Sequence, residues 1–199
     1  MNAKIYIEGG GDSKELHTRC REGFRRLLEK CGFVGRMPRL VACGGRGAAF
    51  ADFTTAHVNA AEGDFVALLV DSEDPVADIE QTWAHLKLRD GWDKPSGAID
   101  EQVLLMTTCM ETWIISDRQA LKEHYVACLQ QNALPSLNNL ETRRRDVVQN
   151  AMVQSTRTCK NRYTKGRKSF EILAQLNPEI LRQHLPSFER CERVLGDNL

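Results

Sequence analysis

Phe65-Val66-Ala67-Leu68-Leu69-Val70-Asp71-Ser72-Glu73-Asp74 is the stretch that decides the fold. Six apolar residues run directly into three carboxylates. An unbroken apolar run of this length reads as a strand buried on both faces, the kind found inside a parallel sheet. Its acids then stand at the strand's C-terminal end, the edge at which open α/β sheets bind ligands. In an extended segment Asp71 and Glu73 point to the same side. Pro75 suits the first turn of a helix with Asp74 as its cap, so Asp74 has a structural reading beside the chemical one, and Glu73 has one as a solvated acid.

The N-terminus repeats the design. Lys4–Glu8 reads as a strand, and Ile5-Tyr6-Ile7-Glu8-Gly9-Gly10-Gly11-Asp12 again ends an apolar run in a carboxylate. The triple glycine is not a phosphate loop, because no Gly-Lys-Ser/Thr follows. Glu8 is either solvated at a plain strand-turn-helix junction or paired with something, since a lone charge at the end of a buried strand is costly. Two such strands side by side bring Glu8, Asp71 and Glu73 together. Carboxylates at close range repel one another unless a cation lies between them. An all-oxygen set of this kind suits Mg²⁺ or Mn²⁺ rather than Zn²⁺.

Working outward, Asp12 or Ser13 can cap a helix in which Leu16, Cys20, Phe24, Leu27, Leu28 and Cys31 recur at helical spacing up to Gly32. Arg39–Cys43 reads as a second strand, followed by Gly44-Gly45-Arg46-Gly47 and a helix through Phe50, Phe53 and Ala56. Ile79, Trp83 and Leu86 mark the helix after Pro75, and Val103–Thr107 a fourth strand. Strands alternating with helices over residues 4–107 predict an α/β fold with a parallel sheet covered on both faces. The remainder reads as helices over Trp113–Val126, Glu141–Val153, Ser169–Leu176 and Pro178–Leu195, with an exposed basic loop over Thr156–Lys168. The expected organisation is an α/β domain over 1–130 and a C-terminal helical extension over 131–199 packed on it.

Of 199 residues, 42% are hydrophobic and 27% charged, which fits a soluble globular chain and excludes disorder. No apolar run approaches the ~20 residues a membrane span needs. The chain enters a strand at once, so no signal peptide is expected. Seven scattered cysteines without a CxxC pair argue for reduced thiols in a cytoplasmic protein, against a disulfide frame or a zinc site. The net charge is zero but unevenly spread: residues 62–101 hold eleven acids against three bases, and residues 141–168 nine bases against two acids. This is either two solvated faces or an acidic metal centre beside a basic track for a polyanion.

A strand ending in Glu8-Gly9, a Gly44-Gly45-Arg46 turn after the second strand and the Asp71-x-Glu73 pair after the third resemble the Toprim domain shared by topoisomerases, primases and OLD-type nucleases. The likeness covers about half the chain. Glu8 matches that family's catalytic glutamate, and Asp71 and Glu73 its acid-x-acid pair, in which Asp is the commoner second acid; Asp74 is the substitute. Met110-Glu111-Thr112-Trp113 resembles the Glu-x-Trp signature of small stand-alone Toprim-like bacterial proteins, whose relatives often sit beside an ATPase in antiphage defence islands.

The resemblance implies a Mg²⁺- or Mn²⁺-dependent nuclease, an effector working with an ATPase partner on DNA or RNA. A homo-oligomer stays open. Glu8, Asp71, Glu73, Asp74 and Glu111 are the implied metal ligands, with Glu111 also readable as an acid on its own helix dipole. Lys165 would stabilise the charge developing on the phosphate. Arg46, Lys160, Arg162, Lys165, Arg167 and Lys168 would hold the nucleic acid. Arg143-Arg144-Arg145 spreads over too many directions of one helix to form a patch. The apolar residues of 141–195 exceed what one packed face needs and point to a docking surface. The alternative is a Toprim-shaped binding subunit that cleaves nothing.

Overall fold

The computed structural model describes residues 2–199. Four strands, β1 (Ala3–Ile7), β2 (Arg39–Ala42), β3 (Phe65–Asp71) and β4 (Val103–Met106), form one parallel sheet in the order β2-β1-β3-β4. Nine α-helices accompany them among the described residues: α1 (Lys14–Leu28), α2 (Arg46–Val58), α3 (Thr82–Asp90), α4 (Met110–Ser116), α5 (Arg118–Tyr125), α6 (Arg145–Ser155), α7 (Arg167–Leu173), α8 (Pro178–His184) and α9 (Pro186–Asn198). The α/β class, the parallel sheet and the helices on both faces are as the sequence predicts.

The strand period of two divides the core. Ile5 and Ile7 of β1, Ala67 and Leu69 of β3, and Leu104 and Met106 of β4 face one way, onto α1 and the C-terminal helices. Val66, Leu68 and Val70 of β3 and Val103 and Leu105 of β4 face the other way, onto Ala49 and Phe53 of α2 and Trp83 and Leu86 of α3. All seven residues of β3 are buried, as its unbroken apolar run requires. Chain direction across the sheet reverses between β1 and β3: β2 lies to one side of β1, and β3 and β4 follow on the other. The crevice beyond the C-terminal ends of β1 and β3 is therefore the switch point at which this class of sheet binds ligands.

Local chemistry sets the helix ends. Ser13 caps α1, its Oγ accepting the Leu16 N–H at 3.1 Å. Gly9 and Gly44 exchange backbone hydrogen bonds at 2.9 Å, joining the two glycine turns. A Cβ on Gly44, whose φ is +76°, would lie 2.6 Å from the Gly11 carbonyl oxygen, so only glycine fits.

Several expectations are corrected. Pro75 begins no helix: residues 72–81 are irregular, α3 starts at Thr82, and Asp74 accepts the Ser72 hydroxyl through its backbone carbonyl instead of capping. The expected helix from Trp113 starts at Met110 and breaks at Asp117, which caps α5 by accepting the Ala120 N–H at 2.9 Å. Pro186 splits the last helix in two. Cys128 and Cys159 are joined in a disulfide, against the expectation of seven reduced thiols. Phe170, Ile172, Leu173, Leu176, Leu181, Leu185, Phe188 and Leu195 are all buried in the same core as β1 and α1. They complete one face of the sheet and offer no apolar docking surface.

Candidate metal centre

Glu8 follows the last residue of β1, and Asp71 ends the neighbouring β3. The parallel register pairs Ile7 with Leu69, which sets Glu8 beside Val70 and Asp71 one residue beyond it, at the same end of the two strands. Their backbones are tied there: the Glu8 N–H donates to the Leu69 carbonyl at 2.9 Å, and a Glu8 carboxylate oxygen accepts the Asp71 N–H at 3.2 Å. Glu73 reaches the same point by a turn. Strand alternation ends at Asp71, Glu73 takes a left-handed backbone (φ +68°), and its N–H donates to the Thr108 carbonyl at 2.8 Å. Glu8, Asp71 and Glu73 each offer an oxygen within 4.8 Å of the others.

Asp71 is the buried centre of the cluster. Its Oδ1 accepts the Met110 N–H at 2.8 Å, at the start of α4. Burial pushes its carboxyl up to about 7; the Glu8 charge adds to the rise and Lys165 opposes it. The three acids are balanced by cations. Arg46, the first residue of α2, pairs with Glu8 at 3.1 Å and Asp90 at 2.6 Å and donates to the Asp71 carbonyl. Its guanidinium lies 4.9 Å above the Trp92 ring, which is itself stacked on Phe50 at 4.2 Å. Arg145 pairs with Glu73 and stands 4.0 Å from Asp71. Arg89 is 3.5 Å from Glu73. Lys165 Nζ is 3.7 Å from Asp71. Burial alone would lower the Lys165 ammonium's pKa, but the charges of Asp71 and Glu111 outweigh it and hold the value above its ordinary range.

The structure thus brings together Glu8, Asp71, Glu73 and Lys165 and sorts the other candidates. Asp74 is turned away, two-thirds exposed, with Arg89 at 3.6 Å. Glu111 is fully buried but lies outside the trio's cluster: its oxygens accept the Tyr163 hydroxyl at 2.8 Å and the Gln149 amide at 3.4 Å. Tyr163 also contacts Ser169 Oγ at 2.7 Å, and Ser169 accepts the Gly166 N–H at 3.1 Å. Glu111 therefore anchors the segment that carries Lys165. Arg46 is spent on Glu8 and Asp90 and has no free face for a phosphate. Lys160 and Arg162 are exposed and form no ion pair among the described residues, whereas Arg167 pairs with Glu171 at 2.7 Å and Lys168 donates to the Arg162 carbonyl at 2.9 Å.

Sequence reasoning missed Arg145, Asp90 and Tyr163. Arg145 was hidden in a run of three arginines of which only the last starts α6 and turns to the acids. Asp90 ends α3 with no motif to mark it.

Three carboxylates converging at one sheet edge form a hard, all-oxygen donor set that fits Mg²⁺ or Mn²⁺. The cations that neutralise them differ in exposure. The Arg46 side chain is 15% exposed and doubly paired, while those of Arg145 and Lys165 are 30% and 51% exposed. No curated protein and no solved structure matches the chain. A family model, described as a domain of unknown function (DUF4276), matches residues 7–195, and the chain belongs to that family.

Proposed function

We propose that the chain is a metal-dependent phosphodiesterase acting on nucleic acid, in the manner of Toprim nucleases, with an ATPase as its partner in bacterial antiphage defence. The convergence of Glu8, Asp71 and Glu73 within 4.8 Å at the switch point carries this reading. Mg²⁺ or Mn²⁺ held by Glu8, Asp71 and Glu73 would supply an activated water and neutralise the leaving oxygen. The chain's own residues do the rest. Glu8 and Asp71, on the ends of adjacent strands, fix two ligand positions on rigid backbone. Arg46 orients Glu8 and touches Asp71 only at its backbone carbonyl. Lys165 stands beside Asp71, where a scissile phosphate would lie, and meets the charge that builds on it. Arg145, paired with Glu73, would add positive charge on that side of the site.

A second reading draws on a specific observation. Every acid of the trio is paired with a cation, which is also how a structural ion network in a non-catalytic binding subunit is built. Calorimetric titration with Mn²⁺, followed by incubation with single- and double-stranded DNA and RNA, separates the two. Saturable Mn²⁺ binding and cleavage, both abolished in Asp71→Asn, are expected. Absence of Mn²⁺ binding with nucleic acid present would assign the network to structure.

A further inference from the structure

Beside the acid trio lies a chamber of about 310 Å³ that phosphate chemistry alone does not require. Glu8, Asp71 and Lys165 line one part of it, and Leu16, Met106, Met110 and Phe170 another. Met106, Met110 and Phe170 are almost fully buried, so they form the inner wall, and Leu16 is partly exposed at the rim. Gly9, Gly10, Gly11, Gly44 and Gly166 complete the lining without side chains. The glycines cannot be replaced cheaply: a Cβ on Gly10 would stand 2.7 Å from His17, and one on Gly9 would stand 3.2 Å from Cys20 Sγ. Beyond the acids and Lys165, the side chains of this wall are apolar.

The apolar part of this space adjoins Glu8, Asp71 and Lys165, so one molecule could reach both. Thioether sulfurs and a phenyl ring favour a flat aromatic partner. The volume sits at the small end of ligand cavities, enough for one nucleoside and far too little for a base-paired duplex. We propose that the chamber receives one unpaired nucleotide, its base against Phe170 and the two methionines and its phosphate at the acid trio, so that the substrate is a single strand or a frayed end. This rests on the phosphodiesterase reading and narrows its substrate class. A base can reach the chamber only when it has left its stack, a step that costs least in single strands.

The test uses the full chain with Mn²⁺ and thymidine 5′-monophosphate, measured by titration, together with cleavage of one labelled strand presented alone or in a duplex. Leu16→Trp fills the chamber from its partly exposed rim, and Leu16→Ala opens it. Leu16→Trp is expected to weaken mononucleotide binding about tenfold or more, the scale of a single base stacked on an aromatic ring, with Mn²⁺ binding unchanged. Leu16→Ala should retain mononucleotide binding, and the lone strand should be cleaved in preference to the duplex. Equal affinity for inorganic phosphate and the mononucleotide, or unchanged binding by Leu16→Trp, overturns the chamber; if cleavage persists, the phosphodiesterase reading survives. Mononucleotide binding that Leu16→Trp abolishes, without cleavage of any strand, keeps the chamber and removes the phosphodiesterase. Absence of mononucleotide binding by the parent chain overturns the chamber outright.

Discussion

Asp71 sets folding against the proposed chemistry. Its folded carboxyl holds a proton up to about pH 7, while an unfolded aspartate releases it near ~3.9. Between those values the folded state binds more protons than the unfolded one, so stability falls as pH rises through that window and levels off above it. Asparagine cannot ionise and keeps an oxygen for the Met110 N–H. Metal-free Asp71→Asn should therefore match the parent near pH 4 and exceed it by about 1–3 kcal/mol at pH 8, read by chemical denaturation at both pH values. A variant less stable than the parent at pH 8 would mean that Arg145 and Lys165 already compensate the charge. The same proton competes with metal. Mn²⁺ affinity of the parent should drop by up to about tenfold per unit below pH 7, and Asp71→Asn should bind weakly at any pH.

At the scale of elements, the segment between α6 and α7 governs where Lys165 stands. Thr156 Oγ1 accepts the Tyr163 N–H at 2.9 Å, Tyr163 donates to Glu111, and the Cys128–Cys159 disulfide ties the start of the segment to the stretch after α5. Tyr163→Phe removes a donor from a buried carboxylate and should cost about 1–3 kcal/mol. It should also lower turnover more than Mn²⁺ affinity, because Glu111 holds the segment and lies apart from the trio; an equal fall in both would return Glu111 to the ligand set. The disulfide spans 31 residues, and its reduction should lower stability by about 3–4 kcal/mol in denaturation with and without dithiothreitol. Equal curves would show that the thiols are already free. These ties explain what the sequence could show. β1, β3 and their terminal acids were legible because apolar periodicity and a following carboxylate are local signals. Tyr163–Glu111 and Cys128–Cys159 are 52 and 31 residues apart and arise only from tertiary packing. The helix expected after Pro75 failed because Pro and Asp signal a helix start as well as an irregular turn, and here Thr82 with Asp100 begins the helix: Asp100 accepts the Trp83 N–H at 2.9 Å.

Over the whole molecule, the acids gather at the switch point and the bases flank it. Much of that basic charge is not free: Arg46 and Arg145 are consumed by the acid trio, and Arg167 by Glu171. Among the described residues, what remains exposed and without an ion pair on the segment leading to Lys165 is a narrow set, Arg157, Lys160 and Arg162. Under the proposed function, holding and cutting fall to different residues. Lys160→Ala with Arg162→Ala should weaken nucleic-acid binding uniformly across sequences. It should lower the slope of log affinity against log salt by about 0.7–0.9 for each phosphate no longer neutralised. Lys165→Ala, whose ammonium lies within the acid site, should reduce turnover while changing that slope by no more than one phosphate's share. Binding measured by fluorescence anisotropy across a salt series reads the first, and single-turnover cleavage reads the second. An unchanged slope in the double variant would take the segment from nucleic acid and leave it to a protein partner. A Lys165→Ala variant whose affinity falls in step with turnover would show that holding and cutting are one interaction after all.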